Sequence, residues 1–125
     1  MLYTGWLASR LDWKPGALNN ARGKWLGHAT TRRHDIKITL DPVEQNAPGL
    51  AGITIELASG EAMALDRAPG GLRAMRRERD GTEHAWTVMG ASRGEAGILG
   101  EGVRQALLRD PTYRPALAQA RQMVT

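Results

Sequence analysis

Residues 34–41 read HDIKITLD and residues 52–59 read GITIELAS. Ile36, Ile38 and Leu40 take alternate positions in the first stretch, as Ile53, Ile55 and Leu57 do in the second. A period of two in apolar, largely β-branched residues predicts strands with one buried and one wet face. Downstream, Ser59-Gly60 marks a tight reversal into a strand over Glu61 to Arg67. Ala68-Pro69-Gly70-Gly71 marks a second reversal, into LRAMRR, and Asp80-Gly81 a third, before His84 to Met89. In that last run Trp86 and Val88 face one way, and Ala85 and Thr87 the other. Short strands joined by short turns make a meander of four or five antiparallel strands.

Upstream, Leu2, Tyr3, Trp6, Leu7, Arg10 and Leu11 recur at spacings of three and four, which predicts an amphipathic helix to about Asp12 with Trp6 as its core anchor. Pro15 and Gly16 are its expected stop. Lys14 to Arg33 is polar and glycine-containing and reads as a long connection with an apolar patch at Trp25 and Leu26. A structureless connection of that length is uncommon, which leaves a mobile segment, a partner-binding loop or a strand with a masked pattern.

Downstream of the sheet the period changes. Leu99, Val103, Ala106 and Leu107 line one helical face, despite Gly97, Gly100 and Gly102. Asp110-Pro111-Thr112 breaks that helix, and Thr112 with Pro115 starts a last one holding Leu117, Ala118 and Arg121. The expected fold is therefore α+β: one antiparallel meander with an N-terminal helix and one or two C-terminal helices packed on one face. Residues 1–125 read as a single domain, and a start almost inside the first helix suggests a fragment of a longer protein. The uncovered sheet face is then wet or an interface with a neighbouring domain.

Seventeen Lys and Arg against thirteen Asp and Glu give a formal charge of +4, an excess that permits an anionic partner without requiring one. With no cysteine, the chain has no disulfide scaffold, thiolate metal site or cysteine nucleophile. No apolar run reaches the ~20 residues that span a bilayer, and the opening MLYTGWLASRLDW lacks a signal-like pattern, so the expected location is cytoplasmic with no membrane contact.

Arg73, Arg76, Arg77 and Arg79 form the densest charge run. On a strand their side chains alternate, so the run reads as a charged edge, with anion or partner binding as its functional alternative. Charge reversal at Arg76 and Arg77 is expected to weaken partner binding and to change stability by about 0.5 kcal/mol or less. Gly90-Ala91-Ser92-Arg93-Gly94 precedes a helix, where backbone donors and Arg93 suit an anion, yet it matches neither a phosphate loop nor a dinucleotide fingerprint. His28, His34 and His84 lack the close spacing of a zinc motif. Glu56, Glu61 and Asp66 read as turn and solvent-face residues. The chain shows no nucleophile and base set and no cofactor motif, so neither catalytic residues nor a cofactor or metal are expected.

Taken together, GWLASRLDW at residues 5–13, GITIEL at 52–57 and LLRDPTYRPAL at 107–117, in that order, give a chain that resembles the C-terminal part of the glucose-6-phosphate dehydrogenase assembly protein OpcA family. The resemblance implies a non-enzymatic assembly or regulatory domain of the oxidative pentose phosphate pathway, with glucose-6-phosphate dehydrogenase as partner. It also implies that Trp6, Arg10 and Trp13 belong to the opening signature and Asp110 and Tyr113 to the closing one. The alternative reading is a small nucleic-acid or phosphate-ligand-binding module, whose mark is a strong salt dependence of binding; nucleic acid itself is the weaker half of it, since arginines interleaved with exposed aromatics are lacking. A well-packed sheet face also predicts that replacing Ile55 by Ala costs roughly 2–5 kcal/mol.

Overall fold

The structure, a computed structural model, describes residues 1–46, 49–89, 102–103 and 111–124. The fold is α+β, with an N-terminal helix, antiparallel sheets and a C-terminal helix. Where one sheet is expected from the alternation, the described strands form two sheets of four. The chain divides into two compact units, Met1–Pro42 with Gln105–Thr125, and Val43–Arg104.

In the first unit, helix α1 (Leu2–Arg10) is followed by strands β1 (Lys14–Pro15), β2 (Asn19–Ala21), β3 (Lys24–Thr30) and β4 (Asp35–Leu40), and helix α2 (Tyr113–Gln122) closes it. Strand β3 is central. It pairs with β4 along one edge, while β1 and β2 pair with the two ends of the other. Residues 14–33, expected as a long connection, are thus largely strand. The inward residues here are Pro15, Gly27 and Ala29, all buried, and none carries the branched signal that announces a strand. Arg22 and Gly23, both at positive φ, make the two-residue turn between β2 and β3 that suits the twist of paired strands.

Helix α1 ends before Pro15. Asp12 takes φ 53°, and the Trp13 N–H donates to the Ala8 carbonyl at 2.9 Å, which closes the last turn as a left-handed cap. The buried face of α1 is Gly5 and Ala8, not the expected stripe through Trp6. Trp6 is 36% exposed and stacks on Tyr3 with ring centroids 5.6 Å apart. The reason is the neighbouring helix: α2 presents buried Ala116 and Ala120, and small residues let two backbones approach closely. A β-carbon on Gly5 would run into the Ala116 carbonyl and the Ala120 backbone. Under this pair lies the core of Ala8, Leu18, Ala29, Ile38 and Met123, flanked by Trp13, Ile36 and Leu40. The Leu18 N–H donates to the Met123 carbonyl at 3.0 Å and ties the strand region to the end of α2.

The second unit is the expected meander: β5 (Gly52–Glu56), β6 (Ala62–Ala68), β7 (Gly71–Arg77) and β8 (Glu83–Met89), paired in that order. Its three reversals fall where the turn residues place them. Gly60, Gly70 and Gly81 all have positive φ, and the outer two turns share one construction: the Gly60 N–H donates to Leu57 and the Gly81 N–H to Glu78, each at 3.0 Å. The expected helix around Leu99 to Leu107 lies outside the described residues, apart from Gly102 and Val103, which are helical.

Candidate functional site

In the second unit cross-strand partners share a face, so the register sorts the side chains. Ile53, Leu65, Ala74 and Trp86 form one row, Ile55, Met63, Arg76 and His84 the next on the same face, and Leu72 with Val88 a third. This face is apolar but open: Ile55 is 44%, Met63 41% and Trp86 45% exposed. The expected burial of Ile55 is therefore overturned. It has the right face and an incomplete cover, and with it falls the expected 2–5 kcal/mol for its truncation. The opposite face carries Glu56, Ala62, Arg77 and Glu83 in one row and Gly52, Asp66, Arg73 and Thr87 in another.

The arginine run is thereby dispersed. Arg73 and Arg77 lie on the charged face, Arg76 on the apolar one, and Arg79 in the turn after β7. Arg76 pairs with Glu78 at 3.0 Å; Arg77 bonds Glu56 and donates from Nε to the Gly60 carbonyl at 3.0 Å. These partners make Arg77 part of the hairpin's construction, so its reversal places a carboxylate against Glu56 and is not neutral for stability. Arg93, with the rest of Gly90 to Gly94, lies outside the described residues. In the turn before β8, Asp80 accepts the Thr82 N–H at 2.9 Å, and this bond holds its carboxyl below the ordinary aspartate range.

Charge is not distributed as the run suggests. The first unit carries ten Lys and Arg against four Asp and Glu, a net +6, and the second seven against nine, a net −2. The basic surplus belongs to the unit without the arginine run. Its outer sheet face holds Lys14, Thr30 and Asp35 in one row and His28 with Lys37 in the next, all exposed.

At one end of that face, Asp12, Lys14, Thr30, Thr31 and Arg32 line a cleft of about 340 Å³. Thr31 organises the turn beside it. Its hydroxyl accepts the N–H groups of Arg33 at 3.2 Å and His34 at 2.9 Å and donates to the His34 carbonyl at 3.1 Å. The bonds fix the backbone that carries Arg32. None of Asp12, Lys14 and Arg32 forms an ion pair within 4.0 Å with another described residue. Apart from Thr31, which sets the turn, the cleft gathers two cations, one carboxylate and the Thr30 hydroxyl. Asp12 and Lys14 are near neighbours in sequence, but Thr30 to Arg32 joins them only through the pairing of β1 with β3, a pairing hidden inside the expected connection.

His28 and His34 belong to the first unit and His84 to the second; among the described residues no three His, Asp or Glu side chains gather as a metal ligand set. No described helix is long and apolar enough to cross a membrane. Of the two signatures quoted above, residues 5–13 supply α1 and the half-buried Trp13, and residues 113–117 supply the start of α2, with Tyr113 exposed and Asp110 outside the described residues. Comparison with protein-family models, with curated proteins and with solved structures finds no match for this chain.

Proposed function

We propose that the chain is a non-catalytic assembly or regulatory domain that binds a partner protein, and that this partner is glucose-6-phosphate dehydrogenase, as the resemblance of its signatures implies. The observation that carries the protein-binding reading is the open apolar face of the second sheet. Ile55 and Met63 stand toward one edge of it and Trp86 and Val88 at the other, with Leu65, Leu72 and Ala74 between them beside Arg76, and exposed apolar surface of this kind suits a protein partner. The signatures support the choice of partner from a different direction. Their α1 and α2 portions, separated by more than a hundred residues, form one helix pair, an arrangement compatible with a shared signature.

The test is a titration of the chain against its host's glucose-6-phosphate dehydrogenase at low and high salt, following assembly state and activity together. Stoichiometric, salt-tolerant binding with a change in either property supports the reading, and absence of binding at both salts removes it. Trp86→Ser locates the surface: affinity falls while the unfolding midpoint holds. A large drop in stability instead assigns this face to the chain's own interior.

The net +6 of the first unit favours a second reading, a phosphate-ligand module. Its mark is binding that weakens steeply with salt.

A further inference from the structure

The most informative residue of the cleft is Asp12, because the fold alone favours a different residue there. It occupies the left-handed position that closes α1, φ 53°, where glycine has no β-carbon to accommodate. Its carboxylate also stands at the C-terminal end of a helix, where the exposed carbonyls favour cations. Aspartate tolerates the left-handed region better than most residues, so the cost is modest, and it falls on a residue that lines a concave opening with Lys14, Arg32 and Thr30.

We propose that this cleft binds a small phosphorylated polyol or sugar. Lys14 and Arg32 supply the charge and the guanidinium fork that a phosphate takes. Asp12 supplies a carboxylate that accepts hydrogen bonds from hydroxyl groups, and the Thr30 hydroxyl both donates and accepts. The mixed charge decides the ligand class. A bare phosphate is attracted by the two cations and repelled by Asp12, whereas a molecule with a phosphate at one end and hydroxyls at the other uses all four groups. The opening of about 340 Å³ has room for such a molecule, and its lining is polar and largely exposed, so the ligand would lie on the surface and be held by charge and hydrogen bonds, not by burial. The Thr31 bonds hold the turn in place before the ligand arrives, which limits the ordering that binding must impose. Asp35, opposite Thr30 in the sheet, adds a negative charge at the rim and disfavours ligands with phosphates at both ends. The site is independent of the partner-binding reading, since it lies wholly in the first unit.

The experiment is an amide chemical-shift titration of the full chain with sorbitol 6-phosphate, with sorbitol and inorganic phosphate run alongside. Saturable shifts confined to Asp12, Lys14 and Thr30 to Arg32, at least about tenfold tighter for sorbitol 6-phosphate than for either control, are expected from simultaneous use of both ends. Arg32→Gln weakens binding by about tenfold or more, as loss of a charge-assisted contact requires. Asp12→Gly raises the thermal midpoint and lowers the affinity for sorbitol 6-phosphate toward that of inorganic phosphate. Equal affinities for sorbitol 6-phosphate and inorganic phosphate overturn the proposal, as does an Asp12→Gly chain that binds sorbitol 6-phosphate unchanged.

Discussion

Ile38 and Ile55 each sit on the apolar side of a strand in a four-stranded antiparallel sheet, one 6% exposed and the other 44%. The difference lies above the sheet, not in it. Over Ile38 the α1–α2 pair brings Ala8, Leu18 and Met123 into one cluster, and Gly5 and Gly27 remove the bulk that would hold the layers apart. Around Ile55 the neighbours in the row are Met63, Arg76 and His84, and the residues buried in that unit are mainly alanines, Ala62, Ala64 and Ala74. Alternation thus fixes which way a side chain points, and only a covering layer turns that direction into burial energy.

Truncation gives the sharpest contrast between the two sheets. Ile38→Ala is expected to lose about 2–5 kcal/mol in denaturant unfolding, as buried isoleucines do. Gly5→Ala comes next: contact with the Ala116 and Ala120 backbone forces the helices apart at about 1–3 kcal/mol, opposed by the roughly 1 kcal/mol that alanine gains over glycine in a helix. A net stabilisation there would mean that α1 and α2 are not in close contact. Ile55→Ala should lose less than about 1 kcal/mol, because much of the side chain is already in water. A loss equal to that of Ile38→Ala erases the distinction between the two sheets. The smallest effect concerns Asp80. Its folded-state pKa is lowered, so the stability it contributes is present above the unfolded value and is lost as pH falls through the folded one. A carbon-detected titration should place its midpoint below the ordinary aspartate value, and Thr82→Pro, which removes the donating N–H, should bring it back.

The second sheet was legible because its signals are local. Pro69-Gly70 and Asp80-Gly81 declare reversals within two residues, and the runs between them alternate. The first sheet hid for the opposite reason. Strand β3 buries Gly27 and Ala29 and exposes Trp25 and Leu26 in part, so its apolar pattern runs against its burial. Trp6 misled likewise: size made it the expected anchor, while the helix crossing selects Gly5 and Ala8 for their lack of it. The Asp12 cleft was illegible because it rests on a backbone angle and on a pairing between segments that look like loop.

The connectivity of the units has a kinetic consequence. Residues 43–104 are inserted between the two chain segments that build the first unit. The hairpins β5 to β8 pair only with their immediate neighbours along the chain, whereas α1 has its partner helix more than a hundred residues downstream. As a ribosome delivers the chain, the inserted sheet has all its strands in hand while α1 still exposes Gly5 and Ala8. Helix α1 is therefore made before the inserted sheet and finds its cover only after that sheet has been delivered.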